Sequence, residues 1–516
     1  MNGAEAIVAT FAQAGATVCF ANPGTSELHL VEAFDSFAEI RGVLCLFEGV
    51  ATGAADGFAR MTRTPGLALL HQGPGLANGL ANMHNARRAE SPIVAVVGAG
   101  ASTHVALDAP LETDVSGLAR PMSTWVGVAH TQGSAVEAWE AALRPPCGPA
   151  TLIVPADTAW SPAAGGIARP DAPRTAPRIP EAVIAEIAHE LRNPGTALLL
   201  GGSTLMERGL RAADRIAQAT GARVFTEAFP ARQRRGAGSA PVPRLSGDAV
   251  IAREQLATVE RLLLVGTTTP VAAFGQVGVR GELWPSQCTV ERIDDQGQDA
   301  LRALEDLAHL LAEDVVARTT RPPRRTDPEP APLDTPLDAA VLAEVVAAVL
   351  PQDAIVVDEA NTTGGPLADA LMDAAPHDVL GLRGFAIGQG LPLATGAAIA
   401  CPQRPVLCLE ADGSAVYTIS ALWTQARERT NVTTLILDNQ SYAILRREAA
   451  RFVDPGVSTS SLFDLADPQM DFVKLAEGFG VPASRAETAG ELAKQLREAF
   501  AQPGPHLVHA LIPSLY

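Results

Sequence analysis

Asp412 and Asn439 lie 27 residues apart, and each closely follows an aliphatic run, VLCLE before the first and VTTLIL before the second. A carboxylate and an amide oxygen are hard donors of the kind Mg²⁺ takes, and such an ion fills its octahedral shell with water and phosphate oxygens. The small residues of Ala411-Asp412-Gly413-Ser414 let backbone N–H groups close around a diphosphate at the start of a following helix. These residues read as a metal and diphosphate site. Two other positions could move protons. Glu48 stands between the apolar run GVLCLF and the small-residue stretch GVATGAADGFAR, where a carboxylate can also serve only as a helix-dipole partner. His71 ends GLALLH ahead of Gln72-Gly73-Pro74-Gly75, and a histidine there is either structural or a proton carrier.

For residues 412 and 439 to meet, 406–410 and 432–438 must be neighbouring parallel strands joined by a helix over about 417–429. The same alternation fills residues 1–165. Strands over 17–20, 42–47, 66–71 and 93–97 are separated by helices over 26–36, 49–60 and 76–88. Continuous apolar strands between helices predict a parallel sheet covered on both faces. Asn22-Pro23-Gly24-Thr25 is a tight turn at the first strand end. Residues 180–317 form a second α/β stretch with strands near 198–200, 223–225, 262–265 and 290–293, none followed by G-x-G-x-x-G. Residues 318–338, rich in proline and charge, read as a linker. Residues 339–516 begin with a helix over 339–349 and a strand over 354–358 that runs into Glu359-Ala360-Asn361-Thr362-Thr363. The expected fold class is α/β, in three domains with parallel sheets.

Asp412-Gly413-Ser414, the spacer, and Asn439-Gln440-Ser441-Tyr442 together resemble the fingerprint of thiamine-diphosphate-dependent enzymes, in particular benzoylformate decarboxylase and the acetolactate synthase large subunit. Ala411 replaces the usual first glycine, and could crowd the diphosphate if the position needs positive φ. The resemblance covers essentially the whole chain. It implies a pyrimidine-binding domain, a middle Rossmann-like domain and a diphosphate-binding domain. It implies thiamine diphosphate and Mg²⁺ as cofactors, with no FAD expected. By this resemblance Asp412, Asn439 and the backbone carbonyl of Ser441 hold the metal. Asn361, Thr362, Ala411, Gly413, Ser414 and Tyr442 contact the diphosphate, and Ile387 wedges between the two rings. Glu48 becomes the acid at the aminopyrimidine. His71 falls on a catalytic histidine of benzoylformate decarboxylase, and Thr25 on a serine thought to touch the substrate carboxylate. Gly275 falls near that decarboxylase's second histidine, and Glu448 stands where acetolactate synthases carry tryptophan.

The implied activity is non-oxidative decarboxylation of a 2-oxo acid, with carboligation to a second carbonyl compound as a further outcome. An acetolactate-synthase-type carboligase and a cofactor-binding subunit without turnover are the alternatives. Family members enclose each cofactor between two subunits, so a homodimer or homotetramer is implied. A net charge of −18 argues against nucleic acid or an anionic membrane as partner. Six scattered cysteines without a C-x-x-C pair fit reduced thiols rather than zinc or disulfides. No apolar run approaches the ~20 residues of a membrane span, and MNGAEAIVATF carries no basic leader segment, so a cytoplasmic location is expected. Aromatic residues make up only 4% of the chain, so its cores must be aliphatic and alanine-rich.

Overall fold

The computed structural model describes all residues except 164, 172–174, 276–277, 296, 321–331, 451–460 and 514–516. Most of the expected linker therefore lies outside the described residues. The chain divides into two compact units, Met1–Ala172 with Arg325–Leu371 and Leu382–Tyr516, and Pro173–Arg324 with Met372–Gly381. The stretch expected as the first domain and all of that expected as the third except Met372–Gly381 thus lie in one compact unit.

That first unit contains two sheets. Strands β1 (Val18–Asn22), β2 (Arg41–Leu44), β3 (Gly66–His71), β4 (Ile93–Ala99), β5 (Trp125–Val128) and β6 (Pro149–Pro155) form a sheet of order β2-β1-β3-β4-β6-β5, parallel throughout. Its central strands are buried along nearly their whole length, the pattern a two-sided parallel sheet demands. The second sheet uses strands that come late in the chain, after five strands of the other unit. Those five are β7 (Thr196–Leu200), β8 (Arg223–Thr226), β9 (Gln233–Arg235), β10 (Arg261–Val265) and β11 (Thr289–Arg292). Then β12 (Ile355–Glu359), β14 (Val406–Ala411), β15 (Val432–Asp438), β16 (Ala483–Ala486) and β17 (His506–Leu511) run parallel in the order β16-β17-β15-β14-β12, while β13 (His377–Gly381) belongs to the second unit. The β14–β15 register pairs Ala411 with Leu437, so both strands end at the same edge.

The second unit is built on the parallel sheet β11-β10-β7-β8. Alternation along β7 sends Leu198 and Leu200 into one apolar cluster and Ala197 and Leu199 into another, so both faces are covered. This unit also holds an antiparallel pair, β9 with β13, that the sequence reading did not anticipate. Asp378 on β13 accepts from Arg232 at 2.9 Å and lies 3.6 Å from Arg234, so charge pairing rather than hydrophobic alternation fixes this ladder.

The helix expected over 417–429 is shorter and preceded by a separate turn, Asp412–Ala415 and then Ala421–Glu428. Between them Thr418 gives its hydroxyl to the Gly388 carbonyl at 3.0 Å, which ties the connecting turn to another loop. Helices Glu48–Thr62 and Gly390–Ala400 pack at backbone distance: a Cβ on Gly396 would lie 1.8 Å from the Ala54 carbonyl oxygen, and one on Gly57 2.1 Å from that of Leu393. Among the described residues no helix is long and apolar enough to cross a membrane.

Candidate active site

The first sheet positions the proton-transfer residues. Its edge strand β2 ends at Leu44 rather than running over the expected 42–47, and a bend then delivers Glu48 to the start of the Glu48–Thr62 helix, where the side chain is buried. Asn78 on the Gln72–Arg88 helix donates Nδ2–H to Glu48 Oε2 at 3.0 Å. The other oxygen, Oε1, faces Gly75, where a Cβ would lie 3.1 Å from it and 3.3 Å from His71 Cβ. Glu48 and His71 therefore flank one glycine at the N-terminal end of the same helix. His71 ends β3, and Gln72 turns the chain at φ +49°. The neighbouring strand β1 brings the Asn22–Thr25 turn alongside, with Gly24 so close that a Cβ would meet the His71 ring at 2.2 Å.

This turn supplies a residue the sequence reading missed. Glu27 is fully buried, and its Oε2 lies 2.7 Å from His71 Nδ1 and accepts the Gly24 N–H at 2.9 Å. Its Oε1 packs against Gly98, where no side chain could fit, and has no hydrogen-bond partner among the described residues. Burial pushes the Glu27 carboxyl up, partly countered by His71. One proton lies between the two groups, Nδ1 is committed to Glu27, and Nε2 is the nitrogen left for other partners. Thr25 is exposed at the head of the same turn.

The second site gathers at the tips of β12, β14 and β15. Asp412 is buried, with Oδ1 accepting from Gly413 N–H at 2.7 Å and Oδ2 from Gln440 N–H at 2.8 Å. Residues 412 and 439 thus meet as the strand order requires. Asn439 Oδ1 accepts from Ser441 N–H at 3.1 Å, and the Ser441 carbonyl accepts from Ala443 N–H while keeping a second lone pair. Asn361, at φ +49° where asparagine is better tolerated than most residues, donates to Ser414 Oγ at 2.9 Å. Thr363, rather than Thr362, meets Asn439, across 3.4 Å. The Tyr442 ring lies against Gly413, where a Cβ would be 2.4 Å from Cε1. Ala411 has φ −72°, so its backbone does not call for glycine.

The chemistry of this donor set fits a divalent cation. Burial and the neighbouring Asp438 carboxylate raise the Asp412 carboxyl to about 7, a cost that a bound cation offsets. Among the described residues no three His, Cys, Asp or Glu side chains cluster as a closed metal cage. One carboxylate with an amide and a carbonyl oxygen is instead the set for an ion that completes its shell with water and phosphate.

Ile387 sits on the loop that leads into the Gly390–Ala400 helix. Asn82 donates to the Gly49 carbonyl at 2.8 Å and to the Gly388 carbonyl at 3.3 Å, linking that loop to the residue after Glu48. From the other side Glu359, buried at the end of β12, accepts the N–H groups of Gly388 and Gly390. Glu410 faces Glu359 in register on β14, and burial raises both carboxyls, Glu359 to about 7. Glu448 pairs with Arg447 at 3.4 Å on the Ala443–Ala449 helix. Gly275 lies in the second unit.

Comparisons with known proteins identify the family. The family model for the thiamine pyrophosphate enzyme N-terminal TPP binding domain matches residues 1–118, and that for the C-terminal TPP binding domain matches residues 376–510. The chain is 48% identical to "Putative acetolactate synthase large subunit IlvX" of Mycobacterium tuberculosis, over 100% of both chains. It is 29% identical to benzoylformate decarboxylase of Pseudomonas aeruginosa, over 96% of each. Its structure superposes on the thiamine diphosphate-dependent 4-hydroxybenzoylformate decarboxylase of Rhodococcus jostii RHA1 with a TM-score of 0.83 at 26% identity, over 99% of both. The chain belongs to the thiamine pyrophosphate enzyme family, within its decarboxylase and acetolactate synthase type.

Proposed function

We propose that the protein is a non-oxidative 2-oxo acid decarboxylase that uses thiamine diphosphate and Mg²⁺. The observation that carries this reading is the Glu27–His71 pair beside Glu48: a buried carboxylate and a half-buried histidine 2.7 Å apart, ready to relay a proton. Bound here, thiamine diphosphate supplies a nucleophilic carbon and an electron sink for the loss of CO₂. Asp412, Asn439 and the Ser441 carbonyl hold Mg²⁺. Asn361, Thr362, Ser414, Tyr442 and the backbone of 411–413 hold the diphosphate, and Ile387 supports the rings. Because Asn78 donates to Glu48 Oε2, Oε1 is the oxygen that would hold a proton toward the cofactor's aminopyrimidine. His71 Nε2 delivers the proton that releases an aldehyde, while Glu27 keeps Nδ1 engaged. The Thr25 hydroxyl, at the same turn, meets the substrate carboxylate.

Where His71 delivers its proton slowly, the site would leave time for a second carbonyl compound to enter, and carboligation would be the further outcome. An acetolactate-synthase-type carboligase draws support from the name of the Mycobacterium tuberculosis relative, and His71 and Glu448 weigh against it. Self-association as a dimer or tetramer, closing each site, follows from the family reading, in which two subunits enclose each cofactor. A CO₂-release screen over 2-oxo acids with thiamine diphosphate and Mg²⁺ tests the reading. Aldehyde release from an aryl or alkyl substrate supports it, acetolactate from pyruvate moves the assignment to the carboligase, and Mg²⁺-dependent binding without CO₂ release from any acid overturns it in favour of a non-catalytic subunit.

A further inference from the structure

The loop that carries Ile387 is strained. Phe385 has φ +62°, a left-handed conformation that a bulky side chain rarely adopts, and Gly388 follows at φ +92°. Such a loop persists only where its surroundings over-determine it, and one face of the Gln72–Arg88 helix does so. Asn85 treats Ala386 as a strand would, donating Nδ2–H to its carbonyl at 2.8 Å and accepting its N–H at Oδ1 at 3.1 Å. The second Nδ2 hydrogen of Asn85 goes to Asn82 Oδ1 at 3.0 Å. Asn82 in turn spends both hydrogens on the Gly49 and Gly388 carbonyls. His84 Nε2 lies 3.0 Å from the Gly384 carbonyl. Asn82 and Asn85 are 2% and 0% exposed, and every side-chain hydrogen of both amides is used. Asparagine is a poor residue for a helix interior, so helix formation does not explain two buried ones three residues apart.

We propose that Asn82 and Asn85 are positioning residues that clamp the 384–388 loop in its strained form and so fix Ile387 for the cofactor. The role given to Ile387 rests on the function proposed above; the clamp itself is read from the loop. Without it, Phe385 relaxes toward negative φ and Ile387 moves with it. A residue that tolerates φ > 0 at 385 should then lessen the need for the clamp.

The test uses the full-length protein. Amide hydrogen exchange at 384–388 in cofactor-free protein, thiamine diphosphate affinity with Mg²⁺, and kcat are measured for wild type, Asn85→Ala, Phe385→Asn, and the double variant. Asn82→Ala is the milder variant should Asn85→Ala fail to fold, because Thr418 also donates to Gly388. The expected result is exchange in the loop faster by roughly tenfold, with β12 and β14 unchanged, and kcat lower by a similar factor. Phe385→Asn should recover most of both. Unchanged loop exchange, or losses that simply add in the double variant, overturns the clamp. Wild-type protein that binds no thiamine diphosphate overturns instead the reading of the site, and would be seen apart from the exchange data.

Discussion

Replacing Glu27 by glutamine should lower turnover without lowering stability. The wild-type contact is charge-assisted, between a fully buried carboxyl and a histidine whose side chain is 22% exposed. A hydrogen bond to a charged group contributes about 1.5–3 kcal/mol, against about 0.5–1.5 for a neutral one, so the amide forfeits ~1–2 kcal/mol of support for the His71 imidazolium. The protonated His71 that delivers the proton then forms less readily by about 5–30-fold, and turnover falls with it. Stability should go the other way. The Glu27 carboxyl is raised by burial above its ordinary 4.5, so the stability it contributes is present below that pH and lost as pH rises through its folded value. Glutamine has no proton to lose, keeps an acceptor for the Gly24 N–H, and removes that decline. Steady-state CO₂ release and thermal unfolding from pH 5 to 8 measure the two effects together. Unchanged turnover would remove the pair from the mechanism. Turnover and melting temperature falling in step at every pH would reduce Glu27 to a structural role.

Glu48→Gln should abolish turnover and largely spare cofactor binding, whereas Asp412→Ala should lose Mg²⁺-dependent cofactor retention; equal retention on gel filtration would contradict that division. Without metal the Asp412 carboxyl sits at about 7, so the stability it contributes is present below its ordinary 3.8 and lost as pH rises through 7. Mg²⁺ needs the deprotonated form, so its stabilising effect in thermal unfolding should grow across that window and vanish with EDTA; in Asp412→Asn the growth should disappear. Gly396→Ala places a methyl group against the Ala54 carbonyl and should destabilise the protein by ~3 kcal/mol or more, while Gly42→Ala, with nothing within 4 Å, should leave the melting temperature nearly unmoved.

The residues legible in the sequence are those whose placement follows from strand order alone. Asp412 and Asn439 meet because two apolar runs of matching length must be neighbours in a parallel sheet, and His71 ends β3 in the same way, whereas Glu48 opens a helix after β2 has closed at Leu44. Glu27 was not legible. Gly24-Thr25-Ser26-Glu27 has the spacing of a capping box, a local signal for the Glu27 bond to Gly24 N–H, but its burial against Gly98 depends on a strand far along the chain. Asn82 and Asn85 look like the solvent-facing side of a helix until the 384–388 loop covers them. The Glu359–Glu410 pairing depends on the β12–β14 register, and the place of Thr363 in the cluster on the turn after β12.

Proton transfer demands placement to fractions of an ångström, and the seam between the Glu48–Thr62 and Gly390–Ala400 helices supplies it without long side chains. Backbone meets backbone at Gly57 and Gly396, so neither helix can slide without collision. A buried ion pair within the Glu48–Thr62 helix holds Asp56 in place: Arg60 makes two bonds to it, at 2.8 and 2.7 Å, and Gln389, next to the other helix, donates to it at 2.7 Å. Such a pair adds little stability once its desolvation is counted; what another register loses is the Gln389 bond, which leaves a buried amide without its acceptor. Gln389 directly precedes Gly390 and follows Gly388, so the contact that sets the helix register also sets the loop beside Ile387. A substitution at Asp56, remote from any reacting atom, should therefore reach the chemistry through that loop.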